Sequence, residues 1–125
     1  MESTDTFKTE GLGQVAIPVR DLARSVTFYR EVLGLSLLFE VPGMAFFDGN
    51  GTRLMFSEQP EGPLHASILY YRVDDLDVAY AMLKAKGVAF LRPPHLVARM
   101  HDHELWMAFL KDPNDHTLAL MAEIR

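Results

Sequence analysis

The chain has 125 residues, of which 49% are hydrophobic and 23% charged, with a net charge of −5 and no cysteine. That length suits one domain with a core of its own, and the missing thiols exclude disulfides, thiolate catalysis and Cys-based zinc sites. An acidic chain without a Lys/Arg cluster lacks the means to neutralise phosphates, so nucleic acid is not an expected partner. No apolar run reaches the ~18 residues of a membrane helix, so no membrane role is expected. The opening MESTDTFKTE is polar and lacks the basic start and apolar stretch of a secretory signal. Residues 1–10 therefore read as a flexible tail and the protein as cytoplasmic.

In chain order, QVAIPV (14–19) reads as a strand, and Asp21 then stands as an N-cap. Leu22, Val26, Tyr29 and Leu33 follow at the spacing of one helical face, and Gly34 supplies a stop. Met44–Phe47 reads as a strand, Asp48-Gly49-Asn50-Gly51 as a hairpin turn, and Thr52–Ser57 as a closing strand. The linker Gln59-Pro60-Glu61-Gly62-Pro63 cannot continue a helix or a central strand.

The pattern then repeats. A shift of 54 places Val19 on Val73, Asp21 on Asp75 and Leu22 on Leu76. Leu76, Ala79, Tyr80 and Leu83 form the second helical face, and Gly87 its stop. Met107–Leu110 answers Met44–Phe47, Asp112-Pro113-Asn114-Asp115 answers the first turn, and Thr117–Ala122 closes the copy. Asp115 is expected in the left-handed conformation, which Asp tolerates better than most residues. Each copy is thus strand, helix, three strands. The expected organisation is α+β: tandem βαβββ modules forming a cupped mixed sheet around a cavity. Its boundaries are 11–58 for module one, 59–64 for the linker and 65–125 for module two.

The segments QVAIPVRDL (14–22), FYREVLGL (28–35) and FLKDPNDH (109–116), with the duplication, resemble the vicinal-oxygen-chelate superfamily. This is the glyoxalase, bleomycin-resistance and extradiol-dioxygenase group, and the likeness runs from about residue 12 to 123. The resemblance implies paired modules whose sheets form a cup. Many members hold a divalent metal there through four positions, while others sequester a drug without metal, so fold alone does not give function. It also implies a homodimer, since relatives pair their sheets within or between chains.

Carried over residue by residue, the four metal positions are Gln14, Met55, Ile68 and Ala119. Gln14 offers an amide oxygen and Met55 a soft thioether, while Ile68 and Ala119 offer no donor. No cofactor is therefore expected. The alternative is a relocated divalent-metal site at His101, His103 and Glu104, if His101 and His103 share a strand face. His65 reads as a surface residue and His116 as a turn residue.

Strand alternation places Gln14, Ala16, Pro18, Met44, Phe46, Arg53, Met55, Ser57, Ile68, Tyr70, Arg72, Met107, Phe109, Thr117, Ala119 and Met121 toward the cup. Val15, Ile17, Val19, Leu54, Phe56, Leu69, Tyr71 and Val73 fall on the opposite face, under the helices. The cup is thus apolar with a few polar points, as in a small-molecule pocket. Gln14, Arg53, Met55, Tyr70, Phe109 and Ala119 are the candidate substrate-binding residues. The stretch 93–106 reads as a long connecting segment of the kind that forms lids. Resemblance to fosfomycin-resistance relatives, whose matching loop holds an anionic substrate, implies Arg99 and His103 as substrate contacts, and His103 with Glu104 reads as a catalytic base and acid, although adjacent strand residues point to opposite sides. Alternation favours packing for Trp106.

The leading expectation is a glyoxalase- or bleomycin-resistance-like protein that binds or transforms a small organic molecule without the usual metal. The alternative is a metal-dependent lyase, isomerase or dioxygenase with relocated ligands.

Overall fold

The structure is a computed structural model describing residues 7–125. The first six residues of the expected tail lie outside the described residues; Phe7–Glu10 are exposed.

Module one runs β1 (Gln14–Val19), α1 (Leu22–Thr27), a π-helical turn (Phe28–Val32), β2 (Ser36–Val41), β3 (Met44–Asp48) and β4 (Arg53–Glu58). Module two runs β5 (Leu69–Arg72), α2 (Leu76–Ala85), β6 (Phe90–Arg99), β7 (Glu104–Lys111) and β8 (Thr117–Ile124). Each module makes its own four-stranded sheet, ordered β1-β4-β3-β2 and β5-β8-β7-β6. In each, the first strand runs parallel to the last and the other pairs are antiparallel.

The helix starts arise as the Asp residues dictate. Asp21 accepts from the Arg24 amide at 3.2 Å and Asp75 from the Val78 amide at 3.1 Å, which satisfies amides that the first turn leaves open. Gly34 and Gly87 end the helical segments at φ of 76° and 88°, a region costly for other residues. Module one departs from a regular helix: the Leu33 amide bonds to the Phe28 carbonyl, five residues back. This widened turn coincides with full burial of Tyr29.

The helix-side faces of both sheets share one core, built on Ile17, Val19, Tyr29, Phe47 and Phe56 with Leu83, Leu110, Leu118 and Leu120. The opposite set expected from alternation is therefore the packed one, with Ile17, Val19, Leu54 and Phe56 buried. Trp106 packs against the same core.

A buried polar cluster joins the modules across this core. Tyr29 Oη donates to Asp112 Oδ2 at 2.5 Å, and the Asn114 and His116 amides donate to Asp112 Oδ1 at 2.8 and 2.9 Å. Asn114 Nδ2 donates to Ser25 Oγ at 3.0 Å, and His116 Nε2 lies 2.7 Å from the Pro18 carbonyl. His116 is thus more than a turn residue: it is buried and pins the two modules together. Asp115 adopts φ 67°, the left-handed conformation expected for it.

Segment 93–106 is a hairpin and not a lid. Residues 90–99 form an edge strand, and the Met100 amide closes the turn on the His103 carbonyl at 2.7 Å. Pro93 and Pro94 are tolerated because an edge strand has one unpaired side and because the register shifts between Arg92 and His95.

Two tyrosines separate paired from unpaired burial. Burial, then the Asp112 charge, raise the pKa of Tyr29 far above its usual range; the same causes raise that of Tyr71, whose buried hydroxyl has no hydrogen-bond partner among the described residues. Tyr29→Phe is expected to cost ~1–3 kcal/mol by depriving a buried carboxylate of a donor, whereas Tyr71→Phe is expected to be neutral or to stabilise by ~1 kcal/mol. Urea unfolding of the two variants checks this, and equal losses would contradict it. Below pH ~10 both states keep these phenols neutral and the folded state retains its full advantage. As pH rises further, the unfolded chain loses protons that the folded chain holds, so stability falls. A denaturation series through that range should show the decline, and it should be smaller in Tyr71→Phe.

Candidate functional site

Strand register defines the face of each sheet turned away from the core. In module one, Gln14 pairs with Arg53 and Ala16 with Met55, while Met55 in turn faces Phe46 and Phe46 faces Phe39. In module two, Tyr70 pairs with Ala119, Ala119 with Phe109 and Phe109 with Arg92. The next row joins Arg72, Met121, Met107 and His95. Residues opposite one another in a sheet share a face, so each module presents one row of aromatic and aliphatic side chains bordered by cations.

On module one, Arg53 organises the polar end. Its Nε donates to Gln14 Oε1 at 2.8 Å, and its guanidinium lies 5.5 Å from the Phe46 ring centre. Gln14 Nε2 in turn donates to Met55 Sδ at 3.6 Å. Phe39 stacks on Phe46 with centroids 4.4 Å apart. On module two, Phe109 meets Tyr70 edge-on at 6.3 Å and stacks with His95 at 6.0 Å. Ala119 lies between Tyr70 and Phe109 and is fully covered; its small side chain permits the two rings to meet. Both faces remain open in the single chain: Gln14, Ala16 and Arg53 are exposed, and Tyr70 and Phe39 are 49% and 47% exposed.

The chemistry of the donor set does not fit the divalent metal that the resemblance implies. Gln14 and Met55 do come together, but the amide oxygen of Gln14 is already held by a guanidinium, whose charge opposes a cation. Ile68 and Ala119 bring no donor atoms.

The relocated-metal residues do not converge either. His101 sits in an exposed bend and not on a strand. His103 Nδ1 is bound to Asp102 at 2.7 Å, and its Nε2 lies 3.9 Å from Glu123. Glu104 turns the other way, accepting from Trp106 Nε1 at 3.0 Å and pairing with Arg99 at 3.2 Å. Among the described residues, no group of three His, Asp or Glu side chains is arranged to hold a metal.

His103, Glu104 and Arg99 do border one shallow cleft of about 440 Å³, with Asp102 and Arg125. Their charges are largely spent on one another, since Arg125 reaches Asp102 at 2.9 Å and Glu123 at 3.1 Å. The hydrogen bond from His103, then Arg125, holds the Asp102 carboxyl below its ordinary pKa. His103 and Glu104 thus border the same cleft, with Glu104 held by Trp106 and Arg99 and His103 by Asp102.

Sequence reasoning missed His95, Arg92 and Phe39 on these faces. The bulges in β6 and β2 shift the alternation there, so counting by twos fails past each bulge. The Tyr70–Phe109–His95 group comes together only once β5, β8, β7 and β6 pair.

The glyoxalase/bleomycin resistance protein/dioxygenase superfamily model matches residues 11–120. The chain is 26% identical over 160 residues to a lactoylglutathione lyase of Schizosaccharomyces pombe, an alignment that takes in 98% of this chain and 51% of that protein, so the chain spans about half the length of this relative. It is 30% identical over 124 residues to the Bacillus subtilis protein YraH, covering 84% of this chain and 91% of that one. Among solved structures, a glyoxalase/bleomycin resistance protein/dioxygenase from Nocardioides is similar with TM-score 0.76 and 23% identity, over 98% of this chain and 89% of that one. TnmS3, an antibiotic binding protein from a Streptomyces species, is similar with TM-score 0.75 and 24% identity, over 94% and 99%. The tandem βαβββ sheets and these matches lead to one conclusion: the chain belongs to the glyoxalase/bleomycin resistance protein/dioxygenase superfamily.

Proposed function

We propose that this chain binds a small organic molecule with a planar aromatic part and an anionic or hydrogen-bond-accepting group, and does so without a metal centre. The observation that carries the reading is that Arg53 holds the amide oxygen of Gln14, one of the four implied ligand positions, beside stacked rings. A guanidinium with an adjacent amide suits an oxyanion or carbonyl oxygen. The Tyr70–Phe109–His95 group suits a flat ring. The methionines at 44, 55, 107 and 121 supply walls that adapt to shape. An antibiotic-binding neighbour of the same fold agrees with sequestration as the activity.

The ligand-binding unit we propose is a homodimer. Each open sheet face carries large apolar side chains, including Phe39, Val41, Ile68 and Tyr70 at 42–49% exposure. Such surface is costly to leave in water and marks an interface or a ligand groove. Pairing module one of one chain with module two of another would close a cup over both aromatic groups. No helix among the described residues is long and apolar enough to cross a membrane.

Light scattering is expected to give twice the 14.1 kDa chain mass; a monomer at micromolar concentration would overturn the dimer. A fluorescence-monitored screen of planar aromatic acids should yield a ligand. Arg53→Ala and Phe109→Ala should each weaken its binding roughly tenfold or more while leaving the melting temperature within a few degrees. Unchanged affinity in both variants would move the site elsewhere. Turnover of the ligand, lost in His103→Ala, would replace sequestration with catalysis.

A further inference from the structure

The two modules are not equivalent where they meet. In one half, the Asp112–His116 turn docks on module one through Pro18, Ser25 and Tyr29. The 54-residue shift makes Arg72, Ala79 and Leu83 the counterparts of those three residues. Among the described residues, no equivalent dock is made in the other half. Asp48, the counterpart of Asp112, accepts from its own Asn50 amide at 2.8 Å, and Leu83 has no hydroxyl with which to reach it. Asp48 and Arg72 border one cleft, and beside it the three counterparts frame a second cavity. It measures about 270 Å³, and Arg72, Ala79 and Leu83 all line it.

The lining of this cavity defines a chemistry. Its walls are apolar, with Val32, Leu35 and Leu120 among them, and Met82 stands at its rim, 59% exposed. Its two charged residues are both cations, Arg72 and Lys86, and it contains no carboxylate. Lys86 Nζ bridges the modules to the Glu31 carbonyl at 3.1 Å, using one of three donors. Arg72 has no hydrogen bond or ion pair to a described residue. The volume is roughly twice the ~150 Å³ that admits benzene in an apolar cavity. A small aryl or branched alkyl group with a short acid arm fits that space.

We propose that this inter-module cavity is a second binding site, for a monocarboxylate with a compact apolar tail. The ligand's tail occupies the space beside Leu83 and Leu120, and its carboxylate lies between Arg72 and Lys86. It thereby supplies the anion that Asp112 supplies in the other half. The site lies largely on the core side of the sheets, and Arg72, at the end of an open-face row, borders its rim.

The probe is 4-phenylbutyrate, titrated into the full chain with carbon-13-labelled methionine methyls. Saturable shifts centred on Met82 are expected, with Met55 and Met107 unmoved. Arg72→Gln combined with Lys86→Gln should weaken binding roughly tenfold or more by removing both charge-assisted contacts. 4-Phenylbutanol should bind correspondingly more weakly. Ala79→Leu, which narrows the cavity, should abolish binding, and the charge variants keep the test informative if that variant is unstable. Shifts confined to Met55 and Met107, equal affinity for the alcohol, or no saturable binding would each overturn the proposal. None of these outcomes depends on the ligand of the open faces, so that reading stands or falls on its own experiments.

Discussion

The buried carboxylate of Asp112 is the interaction on which the arrangement of the whole chain depends. It accepts from a tyrosine of the other module and from two amides of its own turn. A buried carboxylate without such donors would be strongly disfavoured. With them, it fixes where module two sits on α1 and the end of β1. That placement buries the helix-side faces of both sheets in one core and leaves the opposite faces outward. The orientation of the candidate ligand surfaces is therefore a consequence of a polar contact on the far side of the sheets.

Much of this was legible in the residues. The duplication set the element order, the Asp N-caps set the helix starts, and alternation along β1, β4, β5 and β8 separated the core face from the open face. Those signals are local, and local physics decides them. What escaped has a common cause in non-local packing. The Pro93-Pro94 pair reads as a loop, yet edge position and bulges accommodate it within β6. His95 and Phe39 reach the open faces only because those bulges reset the alternation. His103 and Glu104 read as a reactive pair, but neighbouring acids and Trp106 occupy their polar atoms. His116 reads as a turn residue, and its pinning role depends on a carbonyl 98 positions away.

The open faces show how one fold is turned toward different chemistry. The four positions at which the resemblance implies metal donors hold an amide, a thioether and two aliphatic side chains: Gln14, Met55, Ile68 and Ala119. Beside them stand an arginine–amide pair and stacked rings, groups of the kind that suit a flat or anionic molecule. The same duplication that gives each module its sheet also permits divergence where the modules meet: a Tyr–Asp contact in one half and a cation-lined cavity in the other.

The central claim is that the donor positions of this cup do not hold a divalent metal, and metal content tests it most directly. Untagged protein would be analysed by inductively coupled plasma mass spectrometry, alongside thermal-shift titrations with Mg, Mn, Fe, Co, Ni and Zn. A substoichiometric metal content and no metal-dependent rise in melting temperature are expected. One equivalent of a divalent metal per chain, with a clear stabilisation by that same metal, would contradict it.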